Sequence, residues 1–157
     1  MNKLLAAIGM LSLAAMTLSA QKIVGAEKAQ EKKNLDVAMI EFKDILQYGH
    51  IDLADKAIAP EYIQHNPNVP GGREGFKQFM SRGRTPEPIQ KEWKRPPTLI
   101  ITAGPYVLFM TDVKAKDPAD PSQEYTRDHF DVVRIDKGMI VEHWDEARKQ
   151  PPPPPTK

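Results

Sequence analysis

"DVVRIDKGMIVEHWD", residues Asp131 to Asp145, reads as two β-branched runs that meet at Lys137-Gly138. Valine and isoleucine suit a pleated, half-buried strand, and a pair ending in glycine between two such runs suits a two-residue hairpin turn. With Lys137 and Gly138 as the loop, Asp136 faces Met139, Ile135 faces Ile140, Val133 faces Glu142 and Asp131 faces Trp144. Side chains alternate along a strand. One face therefore carries His129, Asp131, Val133, Ile135, Ile140, Glu142 and Trp144, and the other carries Phe130, Val132, Arg134, Val141, His143 and Asp145. The first face is apolar near the turn and polar away from it, as in a conical cavity whose closed end is packed and whose interior holds a site. A slipped register or a bulge exchanges the faces, which keeps His143 and Asp145 as alternative site residues.

Working outward from this hairpin, "TLIITAG", "YVLFMTDVKA" and "EYTRDHFDVVRI" are further β-branched and aromatic runs, separated by Gly104-Pro105 and by a proline-and-aspartate loop at 117–122. Four strands joined by three hairpin turns follow. The first half has the other period. Leu35, Ala38, Met39, Phe42, Ile45 and Leu46 fall at helical spacing, with Glu41, Lys43, Asp44 and Gln47 elsewhere and Gly49 as a stop. "DLADKAIA" reads as a second, shorter helix between Asp52 and Pro60, and "REGFKQFMSRG" as a third that buries Phe76, Phe79 and Met80. Phe42, Phe76 and Phe109 read as ordinary core. Helices first and a meandering sheet afterwards imply an α+β fold, with three N-terminal helices packed on one face of a curved antiparallel or mixed sheet.

Between the second and third helices lies "YIQHNPNVPGG", residues 62–72. Pro67 disfavours the α region at Asn66, so the chain leaves as an extended loop with a fixed backbone direction at His65 and Asn66. Such loops commonly carry function. Asn66 as a simple turn starter and His65 as a solvated side chain are the structural alternatives. Gly71-Gly72 supplies turn geometry before the third helix; no Lys-Ser/Thr follows to make a phosphate cradle.

Composition excludes several classes. The chain has 157 residues, with 22 Lys plus Arg against 21 Asp plus Glu. A near-zero balance advertises neither nucleic acid nor an anionic membrane, and the small basic patches "EKAQEKK" and "RGR" lack interleaved aromatics. No cysteine is present, so there is no disulfide framework, thiolate nucleophile or cysteine metal site. Residues 1–20 carry one charge, Lys3, and then an apolar-to-small run, the pattern of a secretory signal cleaved near Ala20. The expected product is exported, periplasmic or extracellular, with no membrane segment after cleavage. Residues 21–33 read as a flexible lead-in, 34–148 as one domain, and 149–157 as an extended proline-rich tail.

"YIQHNP", the glycine pair with "GFKQF", and "DVVRIDKGMIVEHWD" together resemble the SnoaL-like polyketide cyclase family of the cone-shaped nuclear-transport-factor-two-like superfamily. The resemblance covers roughly Leu35 to Arg148. It implies three helices over a strongly bent sheet, a homodimer, and an apolar pocket with a few polar groups. Activities across that superfamily include aldol ring closure, ketosteroid isomerisation, epoxide hydrolysis and dehydration, while other members only bind. Applied to these residues, the resemblance implies cofactor-free proton removal beside a carbonyl. Asp131 in an apolar wall, its pKa raised by desolvation, is the candidate general base, and His65 and Asn66 are candidate donors to the developing oxyanion. His129, Trp144, Glu142, Tyr62 and Phe79 are candidate substrate-binding residues for a small hydrophobic carbonyl compound. The structural alternative for Asp131 is a satisfied pair with His65 or Trp144. No H-E-x-x-H is present, and no metal is assigned. A sheet face carrying Phe130, Val132 and Val141 is the expected dimer surface.

Overall fold

The computed structural model describes residues 22–150. The expected leader and the run of prolines at 151–155 lie outside the described residues. Strand β1 (Lys22–Val24) precedes helix α1 (Ala29–Met39), which continues into a π-helical segment, Ile40–Ile45. A 3₁₀ turn at Ile51–Leu53 leads into α2 (Ala54–Ala57), then β2 (Ile58–Gln64), α3 (Arg73–Met80), β3 (Leu99–Ala103), β4 (Tyr106–Lys116), β5 (Glu124–Asp136) and β6 (Met139–Asp145). The six strands form one mixed, open sheet in the order β1-β3-β4-β5-β6-β2. The architecture is the expected α+β arrangement of three helices and a sheet. Among the described residues, no helix is long and apolar enough to cross a membrane.

Two strands went unread in the sequence. Where a flexible lead-in was expected, residues 22–24 pair in parallel with β3 and α1 begins at Ala29. β2 occupies the stretch read as helix end and loop, and it pairs in parallel with β6. Pro60 sits inside β2, where the register breaks between Ile58 and Ile63. A proline is tolerated there because β2 is an edge strand.

The core forms where α1 and its π-helical continuation cross the sheet. Leu35, Ala38, Phe42 and Ile45 pack with Ile100, Val107, Phe109, Val133, Ile135 and Ile140, and α1 touches β3, β4, β5 and β6. The Phe42 and Phe109 rings lie 4.3 Å apart, centroid to centroid. Phe76 of α3 closes the other side of the core against Tyr62. Burial of this apolar set is the dominant favourable term in folding.

The decisive hairpin turns where expected. Asp136 pairs with Met139 and Ile135 with Ile140, and the loop residues Lys137 and Gly138 have φ of 49° and 78°. Two positive φ values in succession define the turn whose twist matches the strands. One residue later the register departs from expectation: Arg134 pairs with Glu142, Val133 with His143, Val132 with Trp144 and Asp131 with Asp145. Val141 is the extra residue of a β-bulge, and the bulge turns over every β6 side chain beyond it. Glu142 and Trp144 therefore leave the face of Asp131, and His143 and Asp145 join it.

Candidate functional site

The inner face of the sheet, the π-helical segment Ile40–Ile45 and α3 line a cavity of about 430 Å³. Its apolar lining includes Phe42, Phe76, Met80, Trp93 and Phe109, and its polar lining includes Glu41, Asn66, His129, Asp131, His143 and Asp145. β5 projects His129 and Asp131 inward at alternate positions, and the bulge in β6 brings His143 and Asp145 beside them.

The polar groups form a connected chain. His143 Nε2 lies 3.1 Å from Asp131 Oδ1, and His129 Nε2 lies 3.2 Å from Asp131 Oδ2. The other nitrogen of His129 meets Glu146, which Arg127 also holds at 2.6 Å. His143 Nδ1 is 3.0 Å from Gln64 Oε1. That oxygen already accepts the Asn66 backbone N–H at 2.9 Å, so it is an acceptor and His143 Nδ1 is the donor. With an ionised Asp131 on its other side, His143 donates from both nitrogens and is an imidazolium. Asn66 Nδ2 donates to Asp145 Oδ2 at 2.7 Å, leaving one amide hydrogen for another acceptor.

The charges follow from these contacts. Burial pushes the Asp131 carboxyl up, but the bonds from His129 and His143 outweigh it and hold the group below its ordinary pKa. The desolvated, raised base expected from the sequence is therefore not what Asp131 is, because two histidines stabilise its anion. The bond to Asp131 lifts His129 to about 9 against the opposing effect of burial, with Glu146 adding to the rise. Burial lowers His143, yet Asp131, Glu41 and Asp145 more than compensate, and its pKa is raised. Arg127 and His129 take Glu146 down to about 2 against the effect of burial.

Five expected site residues lie elsewhere. His65 is on the outer face of the sheet, where its ring stacks on Trp144 at 4.9 Å and its Nε2 meets Glu142 Oε1 at 2.8 Å. Glu142 also accepts from Arg134 Nε at 2.9 Å. His65, Trp144 and Glu142 thus form one external cluster, placed there by the bulge and by the alternation of Gln64 in, His65 out and Asn66 in along the end of β2. Phe79 is no part of the cavity lining; Arg82 lies over its ring. Tyr62 is 1% exposed and belongs to the core, where its hydroxyl meets Gln64 Nε2 at 3.0 Å. It orients the glutamine that orients His143. The alternative pairing of Asp131 with His65 or Trp144 is not formed; its bonds go to His129 and His143.

Sequence reasoning missed Glu41. The sequence pattern sets it apart from the apolar positions of the first helix, yet it is 1% exposed and lines the cavity. Its position, three after Ala38 and four before Ile45, lies on the buried stripe of that helix and was the available signal. Burial raises its pKa to about 7, with His143 pulling downward and Asp131 pushing upward.

Ligand-type atoms of Asp131, His143 and Asp145 lie within 4.8 Å of one another. To hold a cation together, His143 would have to lose a ring proton and its bond to Asp131, since a coordinating imidazole is neutral. The raised pKa of His143 opposes that, and the set is not assigned to a metal.

No protein-family model matches the chain, and no curated protein matches its sequence. Solved structures do. A protein provisionally called a polyketide cyclase from Bacillus cereus is 14% identical, with a TM-score of 0.55 over 80% of this chain and 85% of that one. An LEH-like epoxide hydrolase of M. tuberculosis is 17% identical, with a TM-score of 0.52 over 73% and 81%. An NTF2-like protein of unknown function from Mesorhizobium loti is 16% identical, with a TM-score of 0.53 over 82% and 99%. The fold is that of the SnoaL-like, nuclear-transport-factor-two-like proteins, as the sequence resemblance implied. At these identities the likeness speaks for the fold.

Proposed function

We propose that this chain is an exported, homodimeric protein whose cone binds a small hydrophobic carbonyl compound and carries out acid-base chemistry on it without a cofactor. The observation that carries the reading is one cavity of about 430 Å³ in which an aromatic wall meets a partly buried chain of carboxylates and imidazoles. A largely apolar pocket with a few convergent polar groups of shifted pKa is the usual form of a small-molecule site. The cationic His143 and the remaining Asn66 amide hydrogen offer a favourable environment to negative charge developing on a carbonyl oxygen. In this arrangement Asp131 acts through others, keeping His129 and His143 charged and oriented. That neighbours of the same fold include an LEH-like epoxide hydrolase and proteins called polyketide cyclases supports a small-molecule role.

A second reading, a binding module without turnover, is favoured by one feature: both Asp131 oxygens already have partners, so the polar chain is closed. For the homodimer, the support is the outer sheet face, where Tyr106 is 44% and Phe130 41% exposed beside Val132 and Trp144. Apolar patches of this kind are seldom left to water. Export rests on the leader sequence alone. The test is a panel of cyclic ketones, epoxides and enoyl compounds, read by thermal shift for binding and by NMR for turnover. Catalysis predicts both signals with at least one panel member, a binding module predicts shifts without turnover, and neither signal with any member would refute both readings.

A further inference from the structure

We infer that Glu41 is the group that takes the proton from the substrate carbon. The inference rests on the acid-base reading of the cavity and deepens it by assigning the base. Its first support is geometric. Glu41 Oε2 is fully buried and has no hydrogen-bond partner among the described residues, although the residue lines the cavity. Buried polar atoms are nearly always partnered, so an orphaned carboxylate oxygen in a ligand-sized cavity needs an explanation. A ligand that brings a C–H or O–H group to it supplies one.

The second support is placement. Glu41 lies in the π-helical segment Ile40–Ile45, whose Leu46 N–H reaches back to the Glu41 carbonyl at 2.9 Å. Segments of this type occur frequently at functional sites. Here it places Glu41 in the cavity lining together with Phe42 and Phe109, within electrostatic reach of His143 and Asp131.

The third support is elimination within the cavity. Asp131 has both oxygens bonded by histidines and is a weak base, and His143 and His129 carry their protons already. Asp145 accepts from Asn66 and from the Ala147 N–H. Glu41 alone among these groups has a free oxygen. The titratable groups that act on or respond to it are Asp131 of β5, His143 of β6 and Tyr62 of β2. Burial holds it near neutrality, at about 7, where a carboxylate is an effective general base.

The step balances as an enolisation. A C–H bond beside the carbonyl breaks and its proton passes to the Glu41 carboxylate. The bonding pair becomes the carbon–carbon π bond, and the carbonyl π pair moves to oxygen, facing the positive imidazolium of His143 and the Asn66 amide. Return of the proton from Glu41 to the same or another carbon completes exchange or isomerisation. The substrate class is then a ketone or related carbonyl compound with an acidic α-hydrogen and a flat apolar body.

The test is wash-in of deuterium at the α-carbon of 2-tetralone in D₂O, followed by proton NMR with the full chain and its variants. The wild type is expected to accelerate exchange with a rate that rises with pH about a midpoint near 7. Glu41→Gln should lose about 10²-fold or more and lose that limb of the profile. Glu41→Asp, which retracts the carboxyl by one methylene, should be slower while keeping a pH-dependent limb, and it serves if Glu41→Gln does not fold. Asp131→Asn should keep the limb. A Glu41→Gln protein that folds and exchanges at the wild-type rate overturns the assignment and leaves the acid-base reading standing. A wild type inert toward 2-tetralone and every ketone of the panel overturns both.

Discussion

Replacing Glu41 by glutamine should remove a pH-dependent penalty from the folded state. The side chain is 1% exposed, and its pKa rises from the ordinary 4.5 to about 7 on folding. Because the folded-state value is raised, the protonated carboxyl favours folding. No penalty exists below about pH 4.5; it grows as pH rises from 4.5 toward 7, and it is constant above that. At about 1.4 kcal/mol per pH unit, the full effect is about 3 kcal/mol. Glutamine cannot ionise, so Glu41→Gln should gain that much relative to wild type between pH 4 and pH 8, a Tm difference on the order of 10 °C for a domain of this size. The glutamine amide is itself buried, so the absolute offset at pH 4 carries its own cost, and the informative quantity is the change in the difference with pH. Denaturant unfolding of both proteins at half-unit steps from pH 4 to pH 8 measures it. Two curves that run parallel across that range would show that Glu41 ionises in the fold as it does in water, and the argument for a desolvated carboxyl would fail.

Three further outcomes follow from other parts of the molecule. Asp131→Asn strips two histidines of their acceptor; histidine NMR should show His129 titrating well below its wild-type value of about 9, with roughly 1–3 kcal/mol of stability lost between about pH 4 and pH 6.5, where the wild-type Asp131 is ionised and both histidines are charged in either state. Phe130→Glu places a charge in the outer apolar face, and sedimentation should show a dimeric wild type and a monomeric variant with the melting temperature of the isolated domain preserved. Expression with export machinery should yield a chain whose intact mass begins near Gln21; retention of Met1 on a membrane-bound product would contradict export.

Much of the fold was legible because its signals are local. The Lys137-Gly138 turn, the β-branched runs and the stripe through Leu35, Ala38, Phe42 and Ile45 each speak within a dozen residues. What stayed hidden depends on distant partners. Val141 makes the bulge with no glycine or proline to mark it, and its single extra residue exchanged Glu142 and Trp144 for His143 and Asp145. Pro60 looks like a terminator, but β2 tolerates it at the sheet edge, where pairing with β6 is interrupted. β1 is three residues long and exists only against β3. Glu41 was misplaced because charge outweighed position: its place on the apolar stripe was visible, and its identity argued against burial. Asp131 and His129 were found because they share a strand face however β6 is paired.

The central claim, that the cone interior receives a small carbonyl compound beside the histidine–aspartate chain, is tested most directly by the four histidines themselves. His129 and His143 line the cavity, while His65 lies on the outer face against Trp144 and His50 sits at the end of the first helix with Glu87. Imidazole NMR resonances followed during a titration with 2-tetralone should show saturable shifts at His129 and His143 and none at His50 or His65. Four unmoved histidines at millimolar ligand, or shifts confined to His65, would contradict the account.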